Sequence, residues 1–344
     1  MMRKILGTAV GVALAAAFAA GAAAETYTVS TYITPKHWLV SKALAKWAED
    51  LATESQGRVT INILQTPLGK PEAHFDLARD GIADIALGIP GYTAGRFILT
   101  EVGGLPNIGD FGLSRSVALW RVLEKTPEAR KEFEGVEPLG LFTTTPMHMW
   151  NTKREIKSLE DFKGLKIHVA GGVMSDVASS LGIVPVAQPV ATAYEVISRG
   201  VVDGIIFTRN GVHSVNLAPL IKYATIVPGG LTAAPIFLAM NQAKFDKMSA
   251  ADKAALKKVS GEHLSRIVGN IWDGVDEEGI DAVKKAGGKI DVTDAKLTGE
   301  IRAATRPVVD KWLAEVKAKR GIDGAPILAA YEAAVKAVEA EKKK

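Results

Sequence analysis

Six histidines and a glycine pair offer most of the special chemistry in this chain, which has no cysteine at all. The histidines are His37, His74, His148, His168, His213 and His263, and no two stand at the i, i+4 spacing by which one helix face grips a metal. Without cysteine there is no thiolate nucleophile and no sulfur-based metal site, so neither a metal nor a cofactor is expected. A hydrolase would need a nucleophile, a base and an acid to orient the base. Ser175 with His168 is the one pair the sequence offers, and no acidic orienter accompanies it. No G-x-S-x-G elbow, Walker loop or G-x-G-x-x-G fingerprint occurs. In "AGGV", Ala170 to Val173, the amides around Gly171 precede a helical run. They would either favour an anion or form a plain strand-to-helix turn.

Aromatic residues make up only 6% of the chain, yet several gather where a ligand would sit. Tyr32, Trp38, Tyr92, Trp150 and Phe207 all fall at or near expected strand ends or helix starts. Singly, each ring would suit a core. Together they would suit a flat ligand, each ring-on-ring contact contributing roughly 0.5–1.5 kcal/mol.

The elements that must hold these residues follow from periodicity. "TYTVSTYI" and "GRVTINIL" read as strands around the amphipathic run "HWLVSKALAKWAEDLATES", and "EAHFDLARDG" then leads into the strand "ADIALG". The βαβαβ rhythm restarts with "LKIHVAG", "VMSDVASSLG", "IVPVA", "ATAYEVISRG" and "DGIIFT". One corner occurs twice: "ARDGIADIALG" from Ala78 and "SRGVVDGIIFT" from Ser198 both place an Arg shortly before a Gly, then two residues and an Asp before an apolar run. Asp84 and Asp203 would hold matching places in two similar lobes.

Between the halves, "HMWNTKREIKSLEDFKG" suggests a strand, a turn and a short helix capped through Ser158 and Asp161. "PIFLAMN" would return the chain to the first lobe. "SAADKAALKKVSGEHLSRIVGNIWDGVDEEGIDAVKKAG" reads as one long helical stretch capped by Ser249. Two further helices follow. In open α/β sheets, ligands bind beyond the carboxyl ends of the strands. Here these are Thr31 to Pro35, Gly88 to Tyr92, Ala170 to Val173, Gln188 to Ala191 and Phe207 to Gly211.

The chain opens "MMRKILGTAVGVALAAAFAAGAAAETYTV", with Arg3 and Lys4 before an apolar run and a small-x-small pattern ending at Ala24. This is the layout of a cleaved signal peptide, so the mature protein is expected in the periplasm, beginning near Glu25. Loss of Arg3 and Lys4 would reduce the formal charge from +4 to +2. So nearly balanced a chain is not expected to bind nucleic acid.

The segments "SLEDFKGLKIHVAGG" and "AYEVISRGVVDGIIF", with "LARDGIADIALG" and the "S-x-G-R" of "ATESQGRVTI", resemble the DctP-type solute-binding proteins of tripartite ATP-independent periplasmic (TRAP) transporters. The likeness runs from about Tyr27 to Ile322. It implies an α/β, two-lobed periplasmic binding protein, type II-like, with parallel-rich sheets flanked by helices and lobes joined by crossing strands and a long shared helix. It also implies a monomeric receptor that closes on an organic acid and delivers it to TRAP permease subunits in the membrane.

At the ligand the chain departs from the family pattern. "GLKIHV" puts His168 where the family carries an arginine for the ligand carboxylate, and His148 in "PMHMWN" falls near a second family arginine. "DGIIF" puts Phe207 where an asparagine is common. A lost bidentate charged contact costs about 1.5–3 kcal/mol unless replaced. Arg209, two residues past Phe207, is the candidate replacement. The expected ligand site is therefore His168, Arg209, Phe207, His148, Trp150, Tyr32, Trp38, Tyr92 and Gly171. The expected ligand is an aromatic monocarboxylate, with an aliphatic mono- or dicarboxylate as the alternative and a secreted hydrolase as the competing class. The expected domains are a signal peptide at 1–24, a first lobe at 25–146 plus 235–272, a second at 147–234 plus 273–322, and a C-terminal helix at 323–344.

Overall fold

A computed structural model describes residues 24–342, so the expected signal peptide lies outside the described residues except for Ala24. The strands are β1 (Glu25–Thr31), β2 (Val59–Ile63), β3 (Ile85–Gly88), β4 (Val136–Thr143), β5 (Met147–Asn151) and β6 (Lys166–Val169). They continue with β7 (Val184–Ala187), β8 (Gly204–Thr208), β9 (Tyr223–Ile226), β10 (Pro235–Asn241) and β11 (Lys289–Val292). One sheet has the order β2-β1-β3-β10-β4 and the other β11-β9-β5-β8-β6-β7.

Read from the opposite edge, the second sheet repeats the first, with β11 appended. In each, two parallel pairings join the three βαβ strands, and one strand arriving from the other sheet pairs antiparallel to both its neighbours. The chain passes between sheets at 144–146 and 227–234, so β5 and β10 are these exchanged strands, and it passes once more through the helices between β10 and β11.

The repeated corner has a physical cause. Asp84 Oδ2 accepts from the Thr28 amide and hydroxyl, both at 2.8 Å, and Asp203 Oδ2 accepts from the Lys166 amide at 2.8 Å. Each carboxylate therefore satisfies an amide of the neighbouring parallel strand. Each aspartate carbonyl also accepts from the end of the exchanged strand, Asn241 at 2.8 Å and Thr152 at 2.9 Å. Gly81 and Gly200, three residues earlier, take the left-handed turn at φ +74° and +70°.

Helix Ala45–Glu54 buries Trp47 and Leu51 against the first sheet, and the second lobe has its own core around Trp150, Ile205 and Val283. The long stretch from Ser249 is two helices. Ser249 Oγ accepts from the Asp252 amide at 3.1 Å and caps Ala250–Val259. The helix then breaks at Gly261 (φ +63°), where a side chain would meet the Trp120 ring at 2.7 Å. Helix Glu262–Lys285 follows and is shared between the lobes: Trp272 and Val275 belong to the core of the first, Ile280 and Val283 to that of the second.

Helix Gly112–Lys125 is an element the sequence pattern did not announce, because residues 112–120 are all buried and leave no polar stripe. The C-terminal helix Ala325–Lys342 returns to pack on it through Tyr331, Val335 and Val338.

Candidate functional site

The ends of five strands converge on one cleft, as the α/β rule requires. Tyr32 follows β1, Ile89 and Tyr92 follow β3, Ala170 follows β6, Val190 follows β7, and Phe207 and Thr208 close β8. His37, Trp38 and Leu39 come from the turn into the first helix, Trp272 from the shared helix, and Thr144 and Ala234 from the two crossings. The space is about 740 Å³ including its mouth. None of the lining residues is Arg, Lys, Asp or Glu.

Five of the nine expected residues meet here: Tyr32, Trp38, Tyr92, His168 and Phe207. Tyr32 and Tyr92 stand edge to face with ring centres 6.1 Å apart, and Trp38 meets Trp272 at 4.7 Å. Burial pushes the Tyr92 phenol up to about 12 and the Tyr32 phenol well above its ordinary value, so both are neutral donors. Phe207 lies against the start of the next helix because Gly211 has no side chain; a Cβ there would sit 2.4 Å from the ring. His168 is buried with Nε2 3.4 Å from the Pro189 carbonyl, and desolvation lowers its pKa.

The other four lie elsewhere, for local reasons. Side chains alternate along β5, so Met147 reaches the cleft while His148 and Trp150 occupy the opposite face. Trp150 is fully buried and donates its indole N–H to the Phe207 carbonyl at 2.9 Å. His148 Nδ1 accepts from the Val227 amide at 3.2 Å, and burial with the nearby Arg209 charge takes its pKa down to about 3.

Arg209 does not line the cleft. Thr208 Oγ1 accepts from the Gly211 amide at 3.0 Å and starts helix Arg209–Ser214, which turns Arg209 onto the shared helix. There it pairs with Glu277 at 2.7 Å and approaches Asp276 at 3.6 Å. Asp276 also accepts from the Asn210 amide at 3.0 Å and the Thr145 hydroxyl at 3.1 Å, and its burial raises its pKa to about 6. Arg209→Ala would leave this buried carboxylate without its cation. The expected result is a loss of about 2 kcal/mol in chemical denaturation, with a change in ligand affinity no larger than the unfolding accounts for.

Gly171 borders a smaller hollow beside the cleft, together with Gly91 and Glu101. The anion seat expected at "AGGV" is taken by the protein itself: the Glu101 carboxylate accepts from the Val173 amide at the start of helix Val173–Ser180. Glu101 belongs to the first lobe and Val173 to the second, so the contact ties the lobes together. Residues that sequence reasoning passed over include His37, Asn210 and Trp272. His37 adjoins the expected strand end at Pro35, a signal that was available. For Trp272, on a helix far along the chain, there was none.

The family model described as DctP, bacterial extracellular solute-binding protein, family 7, matches residues 29–315. The fold also resembles solved TRAP solute-binding proteins. One, from Bordetella bronchiseptica with bound (R)- and (S)-mandelate, is 35% identical with a TM-score of 0.87, covering 91% of this chain and 99% of that one. Another, from Rhodoferax ferrireducens with copurified benzoate, is 26% identical with a TM-score of 0.86, covering 93% and 100%. A third, from an unidentified marine microbe, is specific for aromatic acid ligands and was solved with 3-hydroxybenzoate. It is 27% identical with a TM-score of 0.85, covering 91% and 98%. With its matching family model, its doubled sheet and its cleft at the strand ends, the chain belongs to the DctP family of bacterial extracellular solute-binding proteins.

Proposed function

We propose that this protein is the periplasmic receptor of a TRAP transporter, closing on an aromatic monocarboxylate and delivering it to the membrane permease subunits. The observation that carries this reading is the cleft wall: Tyr32, Trp38, Tyr92, Phe207 and Trp272 supply rings, and no charged side chain lines the space. A dicarboxylate would bring two anions into an apolar site without a cation, at a cost of several kcal/mol. A monocarboxylate on a ring brings one, and its ring buries apolar area against the walls. The ligands of the similar solved receptors (mandelate, benzoate and 3-hydroxybenzoate) are of this type.

In this reading the receptor is a monomer in the periplasm, with the lobe boundaries given above and hinges at the crossings 144–146 and 227–234. No helix among the described residues is long and apolar enough to cross a membrane. The hydrolase alternative finds no support in the geometry. Ser175 is not among the cleft residues, and His168 makes its hydrogen bond to the Pro189 carbonyl instead.

A thermal-shift panel tests the proposal. A ligand at 100 times its Kd adds about 2.7 kcal/mol of stability. Benzoate, mandelate and 3-hydroxyphenylacetate should therefore raise the melting temperature by several degrees, while succinate and acetate leave it unchanged. Stabilisation by succinate with none by any aromatic acid would overturn the reading.

A further inference from the structure

We propose that the ligand carboxylate is held by three uncharged donors, the indole N–H groups of Trp38 and Trp272 and the Nε2–H of His37. This rests on the aromatic-acid reading above and names the residues that recognise the acid.

The first observation is an unbalanced set of indoles. Trp47 donates to Ser260 Oγ at 3.3 Å, Trp150 to the Phe207 carbonyl at 2.9 Å and Trp312 to the Ile98 carbonyl at 2.7 Å. Trp38 and Trp272 are buried too, 8% and 6% exposed, yet neither indole N–H has an acceptor. Both rings line the cleft. A buried donor without a partner is uncommon in a folded protein, and its desolvation is recovered only when an acceptor arrives.

The second observation fixes the state of His37. Its Nδ1 accepts from the Leu39 amide at 3.2 Å, which places the proton of the neutral ring on Nε2. Burial lowers the ring's pKa to about 4, so it stays neutral near pH 7. His37 also lines the cleft, with its ring centre 5.5 Å from that of Trp38, and Trp38 is 4.7 Å from Trp272. The three rings thus stand in a row at the cleft, and no carboxylate lines the space to compete for their donors.

The third observation is the placement of the alternatives. Arg209 is committed to Glu277 and Asp276, and the glycine-rich helix start is occupied by Glu101. Preorganised neutral dipoles in a water-poor site can stabilise one anion strongly, because they need no reorganisation when it arrives. The same wall discriminates against a second charge. The site thereby selects a monoacid attached to a flat apolar body.

Benzoate is the probe for the test, with the mature protein, its Trp38→Phe, Trp272→Phe and His37→Phe variants, and benzamide as the uncharged control. Each variant keeps a ring and removes one donor, and His37→Phe also removes the Nδ1 that accepts from the Leu39 amide. Calorimetry should show benzoate bound at least 10-fold more weakly by each, the loss of one hydrogen bond to a charged group, with benzamide changed less than 3-fold. In the unmodified protein, two of the six indole N–H resonances should move downfield on saturation with benzoate, independently of whether any variant folds. Benzoate binding with all six indole resonances unmoved would overturn the donor assignment but leave the receptor reading intact. Failure of every aromatic acid to bind the unmodified protein would overturn both.

Discussion

Gly279→Ala is expected to lower stability by about 3 kcal/mol and to weaken ligand binding with it. Gly279 lies in the shared helix Glu262–Lys285, where it presses on the backbone of the second lobe. A Cβ would stand 1.7 Å from the Arg209 carbonyl oxygen, 2.3 Å from its carbon and 2.9 Å from the Asn210 nitrogen. These are all main-chain atoms, so no rotamer change relieves the overlap, and helix and strand end must separate. The gain of about 1 kcal/mol from replacing a helical glycine by alanine does not offset it. Phe207, Thr208, Asn210 and Gly211, on either side of Arg209, form one wall of the cleft, so the displacement reaches the ligand. Gly274, exposed in the same helix with nothing within 4 Å of its Cβ position, is the control. Gly274→Ala should be neutral or slightly stabilising in urea unfolding. Equal effects at 274 and 279 would show that the close approach at Arg209 does not govern this joint.

Glu101→Gln should make the protein more stable at pH 8 and change little at pH 4.5. The Glu101 carboxyl is raised to about 7, first by burial and second by the charge of Glu132, with the Val173 amide pulling the other way. In the unfolded chain it titrates near 4.5. The folded state therefore holds this proton more tightly. The stability it contributes is full below pH 4.5 and is lost as pH rises through 7. Glutamine keeps an oxygen for the Val173 amide and carries no charge. The expected gain at pH 8 is on the order of 3 kcal/mol, from the rise of this carboxyl from 4.5 to about 7. Because Glu101 ties one lobe to the other, the variant should also close more readily and bind benzoate more tightly at pH 8. Unfolding curves at pH 5 and pH 8 decide the matter. A difference between the two proteins that stays constant across that interval would remove Glu101 titration from the account.

The sequence alone determined the doubled architecture and the location of the cleft. Gly-x-x-Asp recurs because a helix must reverse into a strand at each place and the neighbouring parallel strand exposes an amide there, needs met within a few residues of Asp84 and Asp203. The ends of the strands were legible by the same local logic, and with them Tyr32, Tyr92, His168 and Phe207 as cleft residues. What lies further off was decided by tertiary structure. Trp272 joins Trp38 across 234 residues of chain, a proximity that no periodicity encodes. Arg209 has the right charge at the right strand end, but Thr208 starts a helix there and Asp276 and Glu277 of the shared helix draw the guanidinium away. His148 and Trp150 are separated from the cleft by the alternation of β5, whose phase is fixed by which face of the sheet packs inward. Residue types and spacing set each element's shape, whereas the composition of the cleft depended on which faces met when the two lobes and their shared helix packed together.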